Sequence, residues 1–200
     1  MSTKPDLQAR RDRSDLWAAI IVAALAAVFV VRATSESITV MFSRPGAIIA
    51  DTPVAASDVT LADGIPAVVS TAQVVAEGVS PVTATVLVTG IVLFSASLLA
   101  AIVLACLLCR NLLRAIVFSR TNTRLLFAIS MVLLFGSLGG TWFRMMGLNG
   151  VFAALGSTFD QQFALFVEGA PTLIAALAAG VLVIVFRRGD HMQRDAEGLV

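Results

Sequence analysis

Charge is scarce in this chain. Only 14% of its 200 residues are Asp, Glu, Lys or Arg, while 58% are hydrophobic. Soluble domains carry about 25% charged and about 45–50% apolar residues. So few charges cannot coat a globular surface, which excludes a soluble domain. So much apolar material also excludes a disordered polar chain. Cysteine is nearly missing: Cys106 and Cys109 lie together in one apolar run, so no disulfide framework exists. His191 is the only histidine, which leaves no Cys/His metal cluster and no histidine triad. Nucleophile-elbow, zincin and phosphate-loop motifs are absent, as are paired intramembrane carboxylates. These absences point away from an enzyme and predict no cofactor.

What is present is a set of four apolar stretches, which reads as an all-α transmembrane four-helix bundle. The first covers 16–31, between Asp15 and Arg32. At 1.5 Å per residue it spans about 24 Å, short for a core of about 30 Å, so flanking Trp17 and Arg32 must help at the interfaces. The second runs uncharged over 82–109, the third over 125–143 and the fourth over 163–186, the last interrupted by Glu168 and Pro171. Pro171 suits the first turn of a helix from 172, or a kink in a longer one. The expected layout is a segment 1–15, spans at 16–32, 82–109, 125–144 and 163–186, loops at 33–81, 110–124 and 145–162, and a tail 187–200. Residues 1–33 also resemble a signal peptide, but the apolar run is long for one, and retention as an anchor is expected.

Basic residues set the orientation. Lys4, Arg10, Arg11 and Arg13 precede the first span. Arg110, Arg114, Arg120 and Arg124 fill the middle loop, and Arg187, Arg188 and Arg194 the tail. Only Arg32, Arg44 and Arg144 fall on the other side. Cytoplasmic loops collect Lys and Arg, so both termini are expected on the cytoplasmic side of a bacterial inner membrane. Loop 33–81 carries Glu36, Asp51, Asp58, Asp63 and Glu77 against Arg44 and is acidic. Alternation over 37–43 predicts a strand, with further strands at 47–50 and 58–61 and a strand or short helix over 65–79. The turn signals are Arg44-Pro45-Gly46 and Asp63-Gly64. A small strand-rich extracytoplasmic cap on the helix ends is expected, since 49 residues build little core alone.

Several residues carry candidate chemistry. Gly136 and Gly140 form a small-xxx-small pair, a face for dimerisation or, more simply, for packing within the bundle. Cys106 and Cys109 have redox spacing, yet an apolar setting favours two small core residues. Glu168 is an ionisable residue at membrane depth, a candidate for transport or for an interfacial pair with Arg144. Arg110, Arg114, Arg120 and Arg124 anchor anionic lipid or dock an acidic cytoplasmic protein. His191 reads as a solvated tail residue.

Two stretches resemble a known family. Phe118-Ser119-Arg120-Thr121-Asn122-Thr123-Arg124-Leu125-Leu126 is similar to a loop signature, and the tail from Phe186 to Val200 to the ending, of the YoaS-like family of small four-span bacterial membrane proteins of unknown function. The matching positions are Phe118, Asn122, Arg124, Arg188, Gly189, Gly198 and Leu199, with Met192 where the family pattern has Leu. Genes of that family adjoin genes for small helix-turn-helix regulators. The resemblance therefore implies a membrane partner of a transcription factor, with no catalytic residues to carry over. Physically, Asn122 suits a cap of the third helix and Gly189 a left-handed end of the fourth.

The leading expectation is a non-enzymatic membrane sensor that docks a cytoplasmic regulator through Arg114, Arg120, Arg124, Arg188 and Arg194. The alternatives are a small transporter or channel component, with homo-oligomers seamed at Gly136 and Gly140, and a structural subunit of a membrane complex. The lipid bilayer is a partner in every case, and no direct nucleic-acid binding is expected. Orientation is testable by cysteine accessibility in intact cells: a cysteine at Ser57 is expected to label from outside and one at Ser119 only after permeabilisation.

Overall fold

The computed structural model describes residues 4–60, 66–114 and 119–197. In chain order these form α1 (Lys4–Met41), β1 (Ala47–Thr60), β2 (Pro66–Glu77), α2 (Pro81–Leu113), α3 (Arg120–Ala154) and α4 (Gln162–Glu197). The protein is mostly helical, and four helices are long and apolar enough to cross a membrane. At 33 to 38 residues each, they reach about 50–57 Å, well beyond a bilayer core of about 30 Å.

The excess length corrects several expectations. Residues 37–43 form no strand, because α1 runs through them to Met41. A helix already nucleated extends cheaply, and nothing between Arg32 and Met41 breaks it. The Thr39 hydroxyl donates back to the Ser35 carbonyl at 2.8 Å, a helical bond that satisfies a β-branched residue in place. Chain reversal begins only at Phe42, where the Ser43 hydroxyl donates to the Val40 carbonyl at 2.8 Å and Gly46 turns at φ 76°. The expected outer loop 145–162 is mostly helix, since α3 continues to Ala154 and stops near Gly156 at φ 69°. The expected tail 187–200 is helical to Glu197, so Gly189 does not end α4: one glycine costs a helix about 1 kcal/mol, and no proline follows it. Pro171 lies inside α4, not in its first turn.

The sheet has two antiparallel strands. Ala47 pairs with Glu77 and Pro53 with Thr71, then the register shifts between Pro53 and Ser57. The strands expected at 47–50 and 58–61 are thus one long strand, and 65–79 gives β2. The Asp63-Gly64 turn lies outside the described residues.

The chain divides into two compact units that share the helices. One unit holds 33–94 and 137–171, including the hairpin. Its core joins Met41, Ile48, Ala50 and Ala76 to Leu87, Leu148, Val151, Phe159 and Leu165. Alternate residues Ile48, Ala50 and Thr52 are buried, the period expected of one inward strand face. The other unit holds 1–32, 95–136 and 172–200, with a small core of Ala101, Leu133 and Ala176. Within it no side chain of α1 from Trp17 to Arg32 is buried, and Phe29 is 73% exposed, as suits a helix bathed in lipid.

α3 presents one face to α2 and another to α4. Toward α2 it offers glycine. A Cβ at Gly140 would stand 2.8 Å from the Phe94 Cβ, and one at Gly150 2.5 Å from the Thr83 hydroxyl. A Cβ at Gly147 would strike Leu87 and one at Gly136 would overlap Ser97. Partner numbers sum to nearly the same value throughout, the mark of an antiparallel pair. Toward α4, α3 offers hydroxyls seven residues apart. Ser130 donates to the Ala176 carbonyl at 2.8 Å, and Ser137 to the Gly169 carbonyl at 3.5 Å. Gly136→Ala is expected to destabilise the protein by about 1–3 kcal/mol through overpacking on Ser97. The pair Gly136→Ala/Ser97→Gly should regain most of that loss in detergent unfolding curves.

Candidate functional site

Among the described residues two polar clusters stand out from the apolar contacts, one in each unit. In the hairpin unit the central residue is Arg144 of α3. Its backbone is held from behind: a Cβ on Gly90 of α2 would lie 3.0 Å from the Arg144 amide nitrogen. Its side chain reaches forward to two elements. Nη1 donates to Glu168 Oε2 on α4 at 2.5 Å, and Nη2 donates to the Asp51 carbonyl on β1 at 3.2 Å. The guanidinium fork suits two acceptors at once, which a lysine ammonium does not match. The side chains are 33% and 39% exposed, so as an ion pair alone the contact contributes about 0–1 kcal/mol. Its importance is geometric: one residue joins a strand to two helices.

Glu168 stands three residues before Pro171. That proline cannot donate the amide bond that would close on the Val167 carbonyl, so α4 lacks one helical bond a turn from the ion pair. The sequence-predicted pair Glu168 and Arg144 is therefore brought together. Among the described residues no group of three His, Cys, Asp or Glu side chains is placed to hold a metal ion.

In the other unit the cluster sits where α2 turns into α3. Asn122 is fully buried and accepts from the Asn111 side-chain amide at 2.8 Å. Ser119 is the cap: its hydroxyl accepts from the Asn122 amide at 3.2 Å, while the Thr123 amide and hydroxyl both donate to its carbonyl. This corrects the expectation that Asn122 caps α3. Asn122 lies inside the first turn and spends its side chain across to α2. A hydroxyl three residues ahead was the signal available in the sequence. The Asn pair fixes the register of the α2 and α3 ends beside which Arg110, Arg114, Arg120 and Arg124 stand. All four side chains are exposed.

The remaining candidates are scattered. Gly136 and Gly140 are buried against α2 of the same chain. Cys106 and Cys109 are half-buried free thiols on α2. Arg187 and Arg188 are exposed on α4, and Arg194 and His191 lie in its last turns, where their side chains are not described. Phe118, Gly198 and Leu199 fall outside the described residues.

Leucine at either Asn111 or Asn122 is expected to lower stability by about 1–2 kcal/mol, because one amide is left facing an apolar side chain. Leucine at both positions should recover part of that loss. Unfolding of the three variants in one detergent measures the difference.

Comparison with protein-family models, with curated proteins and with solved structures finds no match for this chain.

Proposed function

We propose that the chain is a non-enzymatic multi-pass protein of a bacterial inner membrane that carries a signal from an outer hairpin body to a cytoplasmic regulator. The observation that carries this reading is the continuity of α4. One helix starts beside the hairpin core at Gln162 and runs unbroken to Glu197. It passes from Leu165 in that core to a charged end bearing Arg187, Arg188, Asp190 and Arg194. At 36 residues it is long enough to cross a bilayer core of about 30 Å and project on both sides.

The arginine distribution supports the orientation. Arg110, Arg114, Arg120 and Arg124 cluster at the α2–α3 turn, and their exposure suits a cytoplasmic face. Counted from that level, about twenty residues of each helix cross the bilayer. On this reading Arg144 and Glu168 lie near the outer interface, and the β1–β2 hairpin lies outside the membrane.

The partner that fits is a small regulator with an acidic docking surface, held by Arg114, Arg120 and Arg124 and by Arg188 and Arg194 near the α4 end. The resemblance of the loop and tail to the YoaS-like family favours a helix-turn-helix protein in that role. Glu168 is engaged by Arg144, which favours an interfacial structural role over a transport pathway.

Detergent-solubilised full chain is expected to capture a cytoplasmic regulator, and a chain ending at Phe186 is expected to lose it. Capture by the truncated chain removes the α4 end as the docking site. An ion flux in vesicles that Glu168→Gln abolishes selects transport instead.

A further inference from the structure

We propose that Arg144 is a latch that ties the position of the hairpin to the conformation of α4 at its proline. The inference goes beyond the signalling reading and stands without any regulator, because it concerns only contacts inside the hairpin unit.

Three observations carry it. First, the guanidinium bonds two elements that are far apart in sequence, the Asp51 carbonyl of β1 and the Glu168 carboxylate of α4. Second, the body of Arg144 cannot drift to follow either partner. Its amide nitrogen would lie 3.0 Å from a Cβ on Gly90, and the next turns of α3 are wedged against α2 at Gly140 and Gly147. A fixed backbone with a two-pronged head makes each partner's position depend on the other's. Third, the α4 partner sits beside the weakest point of its helix. Pro171 leaves the Val167 carbonyl without its usual helical donor, and Gly169 lies between them. The Gly169 carbonyl also takes a long bond of 3.5 Å from the Ser137 hydroxyl on α3.

The strand partner is equally placed to respond. Asp51 lies between Ala50 and Thr52, both buried, and opposite Gln73. A shift of β1 against the helix ends therefore moves the carbonyl that Arg144 holds. Two residues later the register breaks, between Pro53 and Ser57. The latch grips the last regular part of the ladder before the irregularity. Displacement of the hairpin withdraws one acceptor, and the guanidinium then follows Glu168 alone. Loss of the carboxylate frees the guanidinium from α4 and loosens its hold on β1.

The test is hydrogen exchange, followed by mass spectrometry, on the full chain in lipid nanodiscs. Glu168→Gln sits on α4 and is expected to raise exchange at least threefold in 48–52 of β1 as well as in 166–171. Arg144→Gln is expected to raise both segments together. The double variant should exchange no faster than Arg144→Gln, since the two residues act through one contact. Arg144→Lys keeps the charge but not the fork, and covers the case in which Arg144→Gln fails to fold: it should raise exchange in at least one of the two segments. A Glu168→Gln effect confined to α4, or additive effects in the double variant, overturns the latch.

Discussion

Apolar side chains gain nothing by leaving lipid for one another, so helices in a bilayer associate through close packing and interhelical polar bonds. In this chain that constraint falls on α3. Glycines on one face let its backbone approach α2, and a Cβ at any of Gly136, Gly140, Gly147 or Gly150 would collide with α2 side chains. Ser130, Ser137 and Arg144 recur every seventh residue and bond to α4. The polar contacts need this close approach, since a hydroxyl reaches a carbonyl of a neighbouring helix only over a short gap. Fixing α3 against α2 is therefore what gives Arg144 a stable base from which to hold the hairpin and α4.

Much of the helical framework was legible in the sequence because bilayer-spanning runs are dictated by composition. The four apolar stretches all lie in helices. The pairing of Arg144 with Glu168 was also legible, since a lone charge beside a long apolar run calls for a partner. The helix ends were not. Residues 33–41 are polar enough to look like a loop and alternate enough to look like a strand, yet they continue α1 because nothing stops a helix already under way. The same logic carried α4 past Gly189. Asp51 was invisible as a site residue for another reason. Its contribution is a backbone carbonyl, which every residue possesses, so only the placement of the strand distinguishes it. Asn111 was missed because a single amide beside an arginine loop has no meaning until register sets Asn122 opposite it.

The two polar clusters differ in kind. The Asn111–Asn122 bond is neutral, with Asn122 buried and Asn111 half-buried, and serves to fix the register of one helix pair. The Arg144 cluster is partly exposed and charged, and joins elements from three parts of the chain. A buried amide pair is costly to break and suits permanence. A solvent-facing ion pair contributes little net free energy and exchanges partners readily, which suits a contact meant to open.

The register break in the hairpin bears on how the protein meets other chains. A two-stranded sheet has an outer edge on each strand, and such edges recruit further strands into aggregates. In β1 the run before Pro53 covers only 47–52, and the run after the break only 57–60. Proline offers no amide hydrogen, and a bulge turns the edge away from a flat approach. Pro53 and the register break therefore interrupt the β1 edge between the two runs. The hairpin can stand exposed without polymerising its neighbours, and whatever approaches it must be recognised by side chains and shape.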